Sequence, residues 1–271
     1  MKALAAASIG QYEKAVEALD KYYRTVEFGL MACLKNETPS FAVITPPANT
    51  GTTVAIIFGS DQGLVGRFND VLMEFATGTL KSLGGKTQQI WSVGERMQAL
   101  IEEGGFPARA PLVVPNSIEA IALLVGQILI EIEQTRERSG IREVYVFHNH
   151  PKSAGVYEPV GRRLLPLDAI WKSSIATLSW PTKNLPQVIE GAEPALEAFI
   201  REYLFVLLFQ ACAESLASEN ASRLAAMQRA EKNIEGILDE LTRTFHRVRQ
   251  ESIDEELFEL ISGYEALAQH R

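Results

Sequence analysis

Cysteine is nearly absent from this chain. Cys33 and Cys212 are the only two in 271 residues and lie far apart in sequence. That excludes the disulfide framework of a small secreted domain and fits a reducing compartment. A surplus of positive charge is also missing. Twenty-six Lys and Arg face thirty-four Asp and Glu, a formal net charge of −8. The chain therefore lacks the broad basic face that nucleic-acid binding needs, and no nucleic-acid partner is expected. Long apolar runs are absent too. The most apolar stretch, Tyr203 to Ala213, is bounded by Arg201, Glu202 and Glu214, well short of the roughly 20 residues of a membrane span. Ile118 to Ile132 is interrupted by Glu119, Gly126, Gln127 and Glu131. Both read as buried helix. The N-terminus has no secretory pattern, because Tyr12-Glu13-Lys14 cuts off its Ala-rich start.

Proline is missing from the first 36 residues and from everything after Pro194, which leaves both ends free to be long helices. In the first segment Ile9, Tyr12, Val16, Leu19, Tyr23, Val26 and Leu30 step alternately by three and four, the seam of a helix facing a partner helix. A helix of some 50 to 75 residues after Ala195 would be on the order of 75 to 110 Å long. Within it Ile234, Leu238, Leu241, Phe245 and Val248 repeat the same steps. The capping-box pattern Ser252-Ile253-Asp254-Glu255 leaves two readings open: a break before a final helix, or an uninterrupted one.

Between these ends the period changes. Thr53–Phe58 is short, apolar and rich in β-branched residues, as a buried strand should be. Further strands are expected at Gln88–Val93, Glu143–Phe147 and Val156–Leu167. Helices are expected at Asp70–Leu83, Gly94–Glu103 and Ser117–Arg138. Alternating strands and helices predict a mostly parallel α/β layer. The expected fold is α/β with long helices, its two ends forming an antiparallel coiled coil: 1–36 and 194–271 as coiled-coil helices, and 52–180 as the central α/β domain. The first helix should run out opposite about residue 230. The seam at Ile234 to Val248 then needs cover from another subunit, or from a stretch of chain upstream of Met1.

Chemical motifs are weak. Gly59 to Asn69 sits between a strand and a helix, where a phosphate loop would lie. It lacks the Walker lysine, its glycine spacing is not the dinucleotide fingerprint, and Asp61 would repel a phosphate; a structural turn is the better reading. His148-Asn149-His150 puts two imidazoles on one side of an extended chain, yet His246 and His270 are not near a recognisable ligand cluster, so no metal site is expected. No nucleophile elbow or His-Glu-x-x-His is present, and no catalytic set or cofactor is expected.

Two stretches resemble the gamma subunit of F-type ATP synthases. Ser60-Asp61-Gln62-Gly63-Leu64-Val65-Gly66-Arg67-Phe68-Asn69 is similar to the family's Ser-Asp-Arg-Gly-Leu-Cys-Gly-Gly-Phe-Asn motif, departing at Gln62, Val65 and Arg67. Glu214 to Met227, which includes Ser218, Glu219 and Arg223, continuing through Ala230 and Asn233 to Asp239-Glu240-Leu241, resembles the family's C-terminal signature with departures at Asn220 and Leu224. Arg247 to Leu257 and Glu259 to Gly263 resemble its terminal segment. Met1 to Lys14 resembles the middle of the family's first helix, and Tyr12–Val16 with Tyr22–Val26 is more similar to the alternative, sodium-type F-ATPases.

The resemblance implies a rotor that is not itself catalytic, coupling ion flow through a membrane ring to ATP synthesis or hydrolysis. It implies partners in the alpha and beta subunits of the catalytic head, the epsilon subunit and the membrane ring. It implies a peripheral position on the cytoplasmic side of a bacterial inner membrane, and contacts to catalytic-subunit loops through Arg249, Gln250, Asp254 and Glu256. The competing reading is a non-rotary coiled-coil scaffold or adaptor.

Overall fold

A computed structural model describes residues 2–35, 51–83, 88–107, 109–152, 156–184, 186–189 and 191–268. The chain falls into two compact units, Met1–Leu224 and Ala225–Arg271.

The first unit is built on a four-stranded sheet. Its strands are β1 (Thr52–Phe58), β2 (Gln88–Val93), β3 (Ile141–Pro151) and β4 (Tyr157–Leu165), in the order β2-β1-β3-β4. β1 pairs parallel with β2 and with β3, and β4 closes one edge antiparallel to β3. All seven residues of β1 are buried, because this central strand is covered on both faces, the situation that produces a continuous apolar run rather than an alternation. On one face Ala55, Ile57, Ile90 and Phe147 pack with Leu72 and Leu80 of α2 (Phe68–Ser82) and with Met97 and Ile101 of α3 (Glu95–Glu103). On the other, Val54, Ile56, Val144 and Val146 join Ile121, Val125 and Ile128 of α4 (Ile118–Ser139). The Ser117 hydroxyl starts α4 by accepting from Ala120 N at 3.2 Å, which satisfies a donor that the first helical turn leaves open.

α1 (Lys2–Lys35) and the first part of α6 (Ala192–Ala268) share this second core, through Val26, Leu30 and Cys33 on one helix and Leu196, Ile200, Leu204 and Leu208 on the other. Gly29 faces the Phe199 ring, Tyr22 Oη donates to Glu202 Oε1 at 2.7 Å, and the Tyr23 and Tyr203 rings lie 5.7 Å apart. Later residues of α1 meet earlier residues of α6, so the two helices run antiparallel as expected. A short helix, α5 (Ala169–Ala176), was not foreseen in the sequence. Asp168 caps it by accepting from Trp171 N at 2.9 Å.

The second unit holds the remainder of α6, helical to Ala268. Of the two readings at Ser252, the uninterrupted helix is the one observed. Ile234, Leu238, Leu241, Phe245 and Val248 are all more than half exposed in this chain. No helix among the described residues is long and apolar enough to cross a membrane.

Candidate functional site

In an open α/β sheet a small molecule usually binds beyond the carboxyl ends of the strands. Here α6 crosses the carboxyl ends of the neighbouring strands β1 and β3. Ser215 Oγ donates to the Phe58 carbonyl at the end of β1 (3.0 Å), and Ser218 Oγ to the Asn149 carbonyl near the end of β3 (2.9 Å). Ser222 Oγ donates to the Val65 carbonyl in the loop after β1 (2.6 Å). The three serines are buried and spaced by three and four, so a single helix face carries all three anchors. The carboxyl end of the sheet is occupied by a structural joint.

The loop after β1 is shaped to receive the helix. Ser60 N donates to Asn69 Oδ1 (3.0 Å) while Asn69 Nδ2 donates to Ser60 Oγ (2.8 Å), a reciprocal clasp closing nine residues. Both residues are buried. The Ser60 hydroxyl also donates to the Gln62 carbonyl. Asp61 Oδ1 accepts from Glu95 N at 3.1 Å, which satisfies a donor at the start of α3. It does so where Gly94 (φ +105°) is packed so tightly on Ser60 that a Cβ would come within 2.6 Å of its backbone. The loop is thus a structural turn. Gly66 adopts a left-handed φ of 57°, which a glycine takes without strain. Nothing in the packing around Gly63 demands a glycine; the adjacent Leu64 takes the left-handed conformation instead, with φ 60°.

Beside this joint, Arg223 Nη2 donates to Glu219 Oε1 at 2.6 Å, in a cleft lined by Tyr12, Asp61 and Asn116. Burial pushes the Glu219 carboxyl up; Arg223 pulls against that, and Asp61 adds to the rise. Ser60, Asp61, Gly66, Asn69, Ser218, Glu219 and Arg223 therefore gather at one place. Met227 lies in the second unit and is half-buried.

Arg249, Gln250, Asp254 and Glu256 are exposed on α6 in the second unit. Arg249 and Glu256, seven residues apart, share one face of the helix, while Gln250 and Asp254, four apart, share a neighbouring one.

The strand expected to stop at Phe147 runs on through His148-Asn149-His150, which pair with β4 at Val160, Pro159 and Glu158. The two histidines meet a third polar group from a distant part of the chain. Glu214 Oε2 lies 2.7 Å from His148 Nε2 and 2.8 Å from His150 Nδ1, and Gln210 Nε2 donates to Glu214 Oε1 at 2.8 Å. Burial alone would raise the Glu214 carboxyl. Hydrogen bonds from both histidines, the charge of His148 and the Gln210 amide overcome this and hold it at about 2. Burial pushes the His148 imidazole down, with Glu214 acting in the opposite direction. The sequence signal for these contacts is the repeat Gln210, Glu214, Ser218 and Ser222, polar side chains every four residues along the helix.

The family model described as "ATP synthase" matches residues 1–267. The chain is 27% identical over 273 residues to the ATP synthase gamma chain of Arthrobacter sp. (strain FB24), covering 98% of this chain and 91% of that one. It is 29% identical over 282 residues to the gamma chain of Frankia casuarinae, covering 99% and 91%. In fold it is similar to a chain from the central stalk and c-ring of the Tetrahymena thermophila mitochondrial ATP synthase, with a TM-score of 0.61 at 22% identity, covering 85% of this chain and 97% of that one. Long end helices, the central mixed sheet and a family match along nearly its whole length lead to one conclusion: the chain belongs to the ATP synthase family, as a gamma chain.

Proposed function

We infer that this chain is the central-stalk rotor subunit of an F-type ATP synthase, coupling ion flow through a membrane ring to ATP synthesis or hydrolysis in a catalytic head. The observation that carries the reading is the family match over residues 1–267. The fold supports it physically. Torque entering the α/β layer must reach a helix without slippage, and α6 is fixed to that layer by the Ser215, Ser218 and Ser222 anchors and by a shared apolar core with α1. On this reading residues 1–36 and 194–271 are the shaft and 52–180 its base.

The subunit is itself non-catalytic, since chemistry resides in the head; α6 already crosses the carboxyl ends of β1 and β3, where an open α/β sheet would hold a substrate. The exposed apolar stripe from Ile234 to Val248 is costly in water, and the alpha and beta subunits cover it. Arg249, Gln250, Asp254 and Glu256 touch loops of the catalytic subunits. Polar contacts suit a turning interface because they break and re-form at each station. The base meets the epsilon subunit and the membrane ring, which holds the complex on the cytoplasmic face of a bacterial inner membrane. A static coiled-coil scaffold is not favoured, since the match spans the base and both ends of the shaft.

Cys33 and Cys212 are both buried, so a cysteine introduced at the exposed Lys81 provides a selective attachment point. The Lys81→Cys chain, assembled with its cognate alpha and beta subunits and fixed by the head, should turn an attached bead in one direction on addition of ATP. A head that assembles around the chain and hydrolyses ATP while the bead stays still would overturn the reading.

A further inference from the structure

Alternation along β3 places His148 and His150 on the same side of the strand, and α6 brings Glu214 to them. Their candidate ligand atoms all lie within 4.8 Å of one another, and both histidines converge on the same carboxylate oxygen. We propose that His148, His150 and Glu214 form a binding site for one zinc-class divalent ion, which cross-links β3 to α6.

Four observations carry this. First, the donors are two imidazole nitrogens and one carboxylate oxygen, the set that suits zinc or cobalt rather than magnesium or calcium, which take oxygen ligands. Second, the spacing can be brought to that required by side-chain adjustment. A tetrahedral ion with bonds of about 2.0–2.1 Å holds its ligand atoms roughly 3.4 Å apart; the 2.7 and 2.8 Å contacts to Glu214 open by well under an ångström, and the two imidazole nitrogens, within 4.8 Å of one another, settle at the same separation. Third, the carboxylate is already oriented for a single bond, because Gln210 holds Glu214 Oε1 and leaves Oε2 toward the histidines; polar partners behind a ligand fix its direction in this way. Fourth, the three residues line a cleft of about 290 Å³, which leaves room for water as the fourth ligand.

His148 is buried, and its Nδ1 has no hydrogen-bond partner among the described residues. Packing alone would favour an apolar side chain in its place. Arg162 also lines the cleft, and its charge opposes a cation. Its side chain is exposed and is free to turn toward solvent, so it lowers the affinity without blocking the site.

The site stands independently of rotation, and its test uses the untagged full chain, stripped with a chelator and then titrated. Zn²⁺ in calorimetry should bind with one equivalent at micromolar affinity or tighter, and Co²⁺ should give the intense visible absorption of four-coordinate geometry. The melting temperature should rise with either ion. His150 is nearly half exposed, with a side-chain exposure of 45%, so His150→Ala should fold normally, verified by circular dichroism, and bind at least about tenfold more weakly. Gln210→Ala should weaken binding about tenfold. Arg162→Gln should tighten it several-fold, and His246→Ala, in the other unit, should leave it unchanged. Absence of saturable Zn²⁺ binding, a Co²⁺ spectrum of the hydrated ion only, or full affinity in His150→Ala would each overturn the proposal.

Discussion

Ser218 and Asn149, sixty-nine residues apart in sequence, are joined by a buried 2.9 Å hydrogen bond from the Ser218 hydroxyl to the Asn149 carbonyl. The same asparagine extends its amide to the Phe68 carbonyl at 3.0 Å, so helix α6, strand β3 and the start of α2 meet around one residue. Ser218→Ala leaves that carbonyl buried without its donor and should cost about 1–3 kcal/mol. The triple change Ser215→Ala, Ser218→Ala, Ser222→Ala should cost clearly more than any single one. Urea denaturation of the full chain measures both; a triple variant as stable as the parent would contradict the anchoring role.

Gly29 packs directly against the opposing shaft helix. A Cβ built there lies 2.3 Å from the Phe199 ring. Gly29→Ala would normally stabilise a helix by up to about 1 kcal/mol, but here the overlap should reverse the sign, to a loss of about 1–3 kcal/mol. Paired with Phe199→Leu, the same change should become neutral or stabilising. A double-mutant cycle in thermal or urea unfolding gives the coupling directly, and no coupling would mean the ring moves aside freely.

Glu219 sets a pH dependence. Its carboxyl is raised from the ordinary value of 4.5, first by burial. The folded state therefore holds this proton more tightly than the unfolded chain does. The associated stability is fully present below about pH 4.5 and is lost as the pH rises through the folded value. Glu219→Gln does not titrate, so its stability relative to the parent should improve as the pH climbs across that window and then level off. Urea midpoints measured from pH 4 to 8 would show it; a gap independent of pH would count against the shift.

Leu238 and Leu241 are 61% and 64% exposed. Replacing both with serine should change the stability of the isolated chain by no more than about 0.5 kcal/mol per site. If the head covers this stripe, the same variant should be recovered in smaller yield with the alpha and beta subunits. Loss of stability in the free chain, with unchanged recovery in the complex, would argue that the stripe packs within this chain.

How much of this was legible in the sequence depended on whether the signal was local. Thr53–Phe58 and Gln88–Val93 read directly as strands because burial on both faces leaves an unbroken apolar run. The seam of α1 was equally plain. β3 was read as Glu143–Phe147, yet it extends to Pro151. His148, Asn149 and His150 lie beyond that stretch because their partners Glu214 and Ser218 arrive from more than sixty residues away. α5 escaped for a different reason: eight residues between Pro166 and Pro181 carry too little periodicity, although Asp168 was in place as its cap. The pattern at Ser252 is compatible with a break and with a continuous helix, and its residues stay within a helix that continues to Ala268. At the joint, the Ser60–Asn69 loop was found by resemblance, whereas the partners of Ser215, Ser218 and Ser222 are backbone carbonyls, which leave no trace in side-chain identity.

Serine reaches its partner through one side-chain torsion, whereas a lysine or arginine ion pair reaches through four or five. A drive train fastened by long charged arms would wind up before its load moved, as each arm slid through its rotamers. The three short hydroxyl fastenings at Phe58, Asn149 and Val65 leave almost no backlash between plate and axle, so whatever elastic compliance a turning machine needs must reside elsewhere along the helix.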